Sequence, residues 1–264
     1  MSKYSQNSPY LPVQSSWLPF LVSLALFSLI FSVVLWFHGK LSVTCVFVSL
    51  LLVVSISFSW WRDVIRESLL GYHTSKLELG FRYAMILFIS SEVFFFVSFF
   101  WAYYDGRISP SVDIGLSWPP AGVYPLSVYS VPLLNTVILL SSGVSITWAH
   151  HRLLMNDFNN MVFSLRLTLS LGVYFLFLQY EEYIETSFSI TDGIYGRTFF
   201  MATGFHGIHV LVGSAMILYT LIISILGCLT YNHHFSFEAT AWYWHFVDVV
   251  WLFLYISIYW WGRL

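Results

Sequence analysis

The chain has 264 residues, of which 58% are hydrophobic, 20% aromatic and 9% charged, with a formal net charge of -2 and a mean hydropathy of +0.75. So little polar surface excludes a water-soluble globular domain, and without a basic run or an Arg-rich patch a nucleic-acid partner has no support. The two cysteines, Cys45 and Cys228, lie in apolar stretches far from each other, so neither a disulfide framework nor a thiolate metal centre is expected.

The text MSKYSQNSPYLPVQSS at 1–16 reads as a tail. It lacks the basic-then-apolar layout of a cleavable signal and the Arg-rich amphipathic layout of a transit peptide, so insertion without an N-terminal address is expected. Apolar runs of about 20 residues span the hydrocarbon core of a bilayer. Seven such runs follow, at 17–37, 41–61, 80–104, 129–149, 160–180, 197–227 and 237–261. Only His38, Gly39 and Lys40 separate the first two, which predicts a tight helical hairpin. The segment WWRDVIRES at 60–68 closes the second run: Trp60 and Trp61 suit an interface, and Arg62 and Arg66, one turn apart, suit an anionic headgroup. Arg82, near the start of the third run on the same side, is a candidate third lipid contact. Prolines crowd the 105–132 connection and are absent beyond Pro132, so the last three helices should run without proline kinks. Glu181, Glu182, Glu185 and Asp192 gather in one acidic loop on the opposite side, which reads as a docking surface or, more often, as a solvated loop. The domain plan is thus one membrane domain over 1–264, with helices one and two at 17–61 and helices three to seven at 80–261.

Basic residues near the helix ends favour the N-terminal side by seven (Lys3, Arg62, Arg66, Lys76, Arg82, Arg152, Arg166) to four (Lys40, Arg107, Arg197, Arg263). The positive-inside rule therefore puts the N-terminus on the matrix or cytoplasmic side.

Ionisable groups at bilayer depth are costly unless they face protein, water or a partner, so the residues that break the apolar text are the informative ones. Glu92, in FISSEVFFFVSFFW, lies about twelve residues, or roughly 18 Å, into the third run. Phe88, Phe95 and Phe96 stand one turn from it. It reads either as a proton-handling or reactive carboxyl, or as a buried acid bonded to a neighbouring helix. His206 and His209, in TGFHGIHV, share a face of the sixth helix, and His245 and Asp248 lie at similar depth in the seventh. Glycines beside the two sixth-helix histidines allow close helix approach, so a cross-helix polar cluster with Glu92 is predicted, with His206 or His209 as its partner and His245 and Asp248 as the neighbouring polar stripe. A metal is not expected. The pairs His150/His151 and His233/His234 are adjacent, splayed by about 100° on a helix, and sit at predicted membrane edges. A haem held by two histidines would need them on facing helices.

At this point the chain resembles the cytochrome c oxidase subunit III family. The matching text is WWRDVIRE at 60–67, SEVFFF at 91–96, WPPAG at 118–122, VPLLNT at 131–136, SGVSITWAHH at 142–151, DGIYG at 192–196, TFFMATGFHGIHV at 198–210 and HHFSFEATAWYWHFVDVVWLFLYISIYWW at 233–261. The resemblance implies an all-α membrane fold of seven helices, a two-helix group and a five-helix bundle with phospholipids held in the cleft between them. It implies no haem or copper in this chain, those belonging to partner subunits that reduce oxygen and pump protons. It further implies contact chiefly with the catalytic subunit I, support of that subunit's stability and proton uptake, and Glu92 as the carboxyl that reacts with hydrophobic carbodiimides. A mitochondrial inner membrane is favoured over a bacterial plasma membrane. One departure is Ser130, which stands where many relatives carry an acid before the valine. The competing reading is a secondary transporter or proton-conducting protein built on Glu92. Such proteins tend to have internal repeats and Gly/Pro-broken helices in two halves, and neither is visible here. A seven-helix receptor has only the helix count in its favour.

Overall fold

The computed structural model describes residues 15–112, 115–231 and 234–263. Seven helices there are long and apolar enough to cross a membrane. They are α1 (Leu18–Phe37), α2 (Val43–Leu69), α3 (Ser75–Ile108), α4 (Val131–Leu154), α5 (Phe158–Glu185), α6 (Gly193–Ile225) and α7, which is α-helical over Phe235–Leu254 and continues in π-helical winding over Tyr255–Trp260. The described residues form no strand.

Local sequence explains most of the boundaries. Pro19 and Pro132 occupy the first turns of α1 and α4, where a missing N–H costs nothing. Ser42 caps α2 by accepting from the Thr44 N–H, and Asp157 caps α5 by accepting from that of Asn160. Between α1 and α2, Gly39 adopts φ +66, a left-handed turn conformation that closes the short hairpin.

Several limits differ from the sequence-based expectation. The second helix runs on to Leu69 and the third begins at Ser75, so the charged segment around Arg62 and Arg66 forms the end of α2, beyond the apolar run expected to stop at 61. With 34 residues, α3 is about 51 Å long, well beyond the roughly 30 Å of a hydrocarbon core, and Glu92 is its eighteenth residue. At the other end of the chain α7 changes winding without a proline. Its π-helical stretch is where α3 bonds it: Tyr103 OH donates to the Ile258 carbonyl at 3.3 Å and Tyr104 OH meets Ser257 Oγ at 2.6 Å.

The chain divides into two compact units, residues 1–81 and 82–264. In the first, α1 and α2 form an antiparallel hairpin whose interior polar contact is Ser32 Oγ to Ser49 Oγ at 2.8 Å. In the second, α4 packs on α5 and α7, and α6 packs on α5 and α7. Lipid is as apolar as leucine, so close packing and interhelical hydrogen bonds must hold such helices together. Two fully buried indoles supply both. Trp244 Nε1 donates to Ser142 Oγ at 2.8 Å and Trp251 Nε1 to Thr136 Oγ1 at 3.0 Å, pinning α7 to α4 at two levels. Room for Trp244 comes from glycine: a Cβ on Gly172 would stand 2.7 Å from its ring and one on Gly213 2.8 Å. A polar seam joins α4 to α5 through Ser145 and Thr168, whose hydroxyls are 2.7 Å apart. Another joins α5 to α6, where Tyr183 OH meets Thr203 Oγ1 at 2.7 Å and Gln179 Nε2 donates to the Thr203 carbonyl at 2.9 Å.

Candidate functional site

Halfway along α3, Glu92 meets α6. Its Oε2 lies 2.8 Å from His209 Nε2, and their side chains are 23% and 11% exposed. The other nitrogen of His209, Nδ1, lies 2.6 Å from the Phe205 carbonyl one turn back, which fixes a proton there. That bond decides the chemistry of the pair. With Nδ1–H donating to a carbonyl, a neutral imidazole offers Nε2 as an acceptor, and Glu92 must be the protonated donor. If the proton moves to Nε2, the pair becomes imidazolium and carboxylate. Either way one proton is shared between Oε2 and Nε2 at membrane depth.

Aromatic rings surround the pair. Phe96 and Tyr243 lie 4.9 and 6.3 Å from the His209 ring and Phe246 6.0 Å, while Phe95 packs edge-on to both Phe96 and Phe205. Low polarity around a charge or hydrogen bond strengthens it and makes an unpaired partner expensive.

The other polar residues of the predicted cluster do not join Glu92. His206 is fully buried; its Nε2–H donates to the Val247 carbonyl of α7 at 3.2 Å and its ring packs on Phe175 and Trp251. It is a structural tie between α6 and α7. His245 and Asp248 form a separate pair, Nδ1 to Oδ2 at 3.7 Å, with His245 Nε2 at 3.5 Å from Thr147 Oγ1 of α4. Gly143 makes that arrangement possible, since a Cβ there would stand 2.5 Å from Asp248 Oδ2. Glu92 thus bonds one of its two candidate histidines, His209, with His245–Asp248 as a separate polar pair and His206 spent on Val247. Sharing a helix face at spacing three brought His206 and His209 to similar depth, but their rings bond different neighbours.

An apolar groove of about 760 Å³ opens beside the His245 pair. Phe100 and Trp101 of α3 and Trp242, Val249 and Phe253 of α7 line it.

Of the expected lipid contacts, Trp60 is half-buried and Trp61 exposed. Arg62 donates to Asp63 Oδ1 through Nε at 3.2 Å and Nη2 at 3.1 Å, and Arg66 Nη1 stands 4.0 Å from the same oxygen. Both guanidiniums also line a polar groove of about 810 Å³ with Trp17, Ser59, Glu67 and Tyr72. Arg82 is engaged elsewhere, its Nη2 at 2.8 Å from Glu238 Oε2 of α7.

Two features escaped the sequence. The acidic group at 181–192 is not one solvated loop: Glu181, Glu182 and Glu185 belong to α5, and Glu182 is 1% exposed, while Glu185 and Asp192 are exposed. Helical spacing gave the signal, because Glu182 continues the buried Phe175 and Gln179 stripe of α5. The second is a grouping of His150, His234 and Glu238, whose ligand atoms lie within 4.8 Å of one another. Adjacent histidines within one pair splay apart, yet one member of each pair meets the other across α4 and α7. His233 lies outside the described residues.

Seven helices long and apolar enough to cross a membrane define a multi-pass integral membrane protein, with a carboxyl–imidazole pair joining its third and sixth helices. The profile of the family described as cytochrome c oxidase subunit III matches residues 8–263. The cytochrome c oxidase subunit 3 of Mus musculus is 57% identical over 230 residues, covering 87% of this chain and 88% of its own length. Those of Rattus norvegicus and Homo sapiens are 53% and 52% identical over 258 residues, 97% of this chain and 98% of theirs. The chain belongs to the cytochrome c oxidase subunit III family.

Proposed function

We infer that the chain works as a redox-inert subunit of a cytochrome c oxidase, the proton-pumping oxidoreductase that reduces oxygen to water. The transporter alternative loses its ground, since family membership accounts for the intramembrane acid without it. The use made of the membrane-depth histidines carries the redox-inert reading. His206 is spent on the Val247 carbonyl, His209 on Phe205 and Glu92, and His245 on Asp248 and Thr147. Each of these three rings is thus already engaged within the chain. Iron and copper analysis of the dissociated chain tests this. Neither metal is expected in stoichiometric amount, and either one retained would overturn a purely supporting role.

The subunit acts on the reaction through packing against the catalytic subunit I, steadying it and its proton uptake. The exposed apolar faces of α1 to α3 and the groove between α3 and α7 supply apolar area for protein or lipid contact. The mitochondrial inner membrane is the proposed location, with the N-terminus on the matrix side in accordance with the seven-to-four basic bias.

Phospholipid binding is proposed at Arg62 and Arg66, beneath Trp60 and Trp61. A phosphate pairs bidentately with guanidinium and would compete there with Asp63, the side chain both arginines now share. Arg82, with one nitrogen on Glu238, retains further N–H groups for a third contact. Replacing Arg62 and Arg66 together by Gln should reduce the anionic phospholipid that co-purifies with the complex. Unchanged lipid content would refute the site.

A further inference from the structure

We propose that His150, His234 and Glu238 form a binding site for a redox-inert divalent transition ion of the zinc class, at the end of the bundle where α4 finishes and α7 begins. His150 lies in the last turns of α4, His234 is the N-cap residue of α7, and Glu238 stands in the first turn of α7. One ligand atom from each lies within 4.8 Å of the other two. In a tetrahedral zinc site, bonds of about 2.0–2.1 Å put neighbouring ligand atoms roughly 3.3 Å apart. His234 Nε2 and Glu238 Oε1 already stand 3.5 Å apart, the separation of one edge of such a tetrahedron. The His150 ring is 5.7 Å from that of His234 and is held flat against Phe237, so a small rotation about its side chain closes the third corner.

A second observation points to a ligand. His150 Nε2 and His234 Nδ1 are both buried and have no hydrogen-bond partner among the described residues. Buried polar nitrogens are almost always bonded to something, so the orphan Nε2 of His150 marks a place where a further group belongs, while His234 turns Nε2 rather than its orphan Nδ1 toward Glu238. Two neutral imidazoles and one carboxylate suit zinc, with the fourth position left to water. The chemistry demands no change of oxidation state, so it is compatible with a subunit that carries no electrons.

Arg82 opposes the ion. Its Nη2 lies 2.8 Å from Glu238 Oε2 and already neutralises the carboxylate, leaving Oε1 as the ligand atom. A cation entering there meets a guanidinium across the same carboxylate. Arg82 therefore sets the affinity, and removing its charge should tighten binding where removing an imidazole loosens it.

The test uses the intact oxidase containing this subunit, stripped with a chelator and dialysed against Zn²⁺. Four proteins are compared: the parent, His150→Gln, His234→Gln and Arg82→Gln. Zinc held elsewhere in the assembly cancels in the differences. At Zn²⁺ just sufficient to fill the parent site, the parent should bind close to one equivalent more than either histidine variant. The loss in affinity should exceed the roughly 10–100-fold typical of a lost outer-shell partner. Arg82→Gln should bind that equivalent more tightly. The same stoichiometry and midpoint in all four would overturn the proposal. If the histidine variants do not assemble, zinc-edge anomalous diffraction from the zinc-soaked parent complex decides: a peak in bonding contact with both imidazoles supports the site, and none at saturating Zn²⁺ refutes it.

Discussion

Glu92 and His209 are joined by one proton, and the substitutions at these positions follow from where that proton sits. In Glu92→Gln the side-chain amide still donates to His209 Nε2, so the bond across α3 and α6 persists and the complex should assemble with normal yield. Carbodiimide labelling of the subunit should vanish, because the reagent must add to a protonated carboxyl. Labelling that survives in this variant would place the reactive group elsewhere. His209→Ala is the harsher change. It leaves a carboxyl among Phe95, Phe96 and Tyr243 without its partner, which costs about 1–3 kcal/mol and should lower the thermal stability of the assembled complex measurably. Sequence alone placed Glu92 at mid-membrane and restricted its partner to two histidines three residues apart. It could not separate them, because rotation about the helix axis and the local carbonyl each ring meets are properties of the packed bundle. The same limit hid Glu182. Its neighbours Glu181 and Glu185 are partly exposed and exposed, and charge clustering suggested water around all of them.

The helices themselves were the legible part, since a run of about 20 apolar residues has few alternatives in a protein this hydrophobic. Their ends were less so. The extension of α2 to Leu69 and the early start of α3 at Ser75 pass through charged text beyond the apolar runs, although Arg62 and Arg66 are good helix formers one turn apart. The change of winding at Tyr255–Trp260 carries no proline or glycine mark and is legible only from the hydroxyls of Tyr103 and Tyr104 that meet it. Between α4 and α5 the chain turns at Asn156, with φ +59, and Asp157 caps the next helix outside the apolar spans. The Asn160 side-chain amide, at 2.6 Å, holds the Asp157 carboxyl below the ordinary carboxylate range, helped by the Asn160 backbone N–H and by Arg152. A depressed pKa in the folded state means that the cap stabilises fully above the ordinary carboxylate range and is lost as pH falls through the depressed value. Asp157→Ala should therefore lower the thermal midpoint near neutral pH, and the gap to the parent should close in acid. A gap independent of pH would mean that the charge of Asp157 is not what caps α5.

Across the whole molecule, buried polar residues concentrate in α4 to α7, whereas α1 and α2 bury only Ser32 and Ser49 among their polar side chains. The second unit is thus organised by specific bonds, Trp244 to Ser142, Trp251 to Thr136 and Glu92 to His209, around which lipid or a partner subunit can lie without disturbing them. Such a body is suited to stiffening a neighbour, and its membrane-depth histidines are engaged in bonds within the chain. The central claim is that this chain sustains oxygen reduction without performing it. Turnover of the oxidase with and without this subunit, followed from the first cycles through many, tests it most directly. The account predicts near-normal initial oxygen reduction by the depleted complex, followed by slowed proton uptake and progressive inactivation. Complete and immediate loss of oxygen reduction, with the haems of the partner subunits still properly ligated, would contradict it.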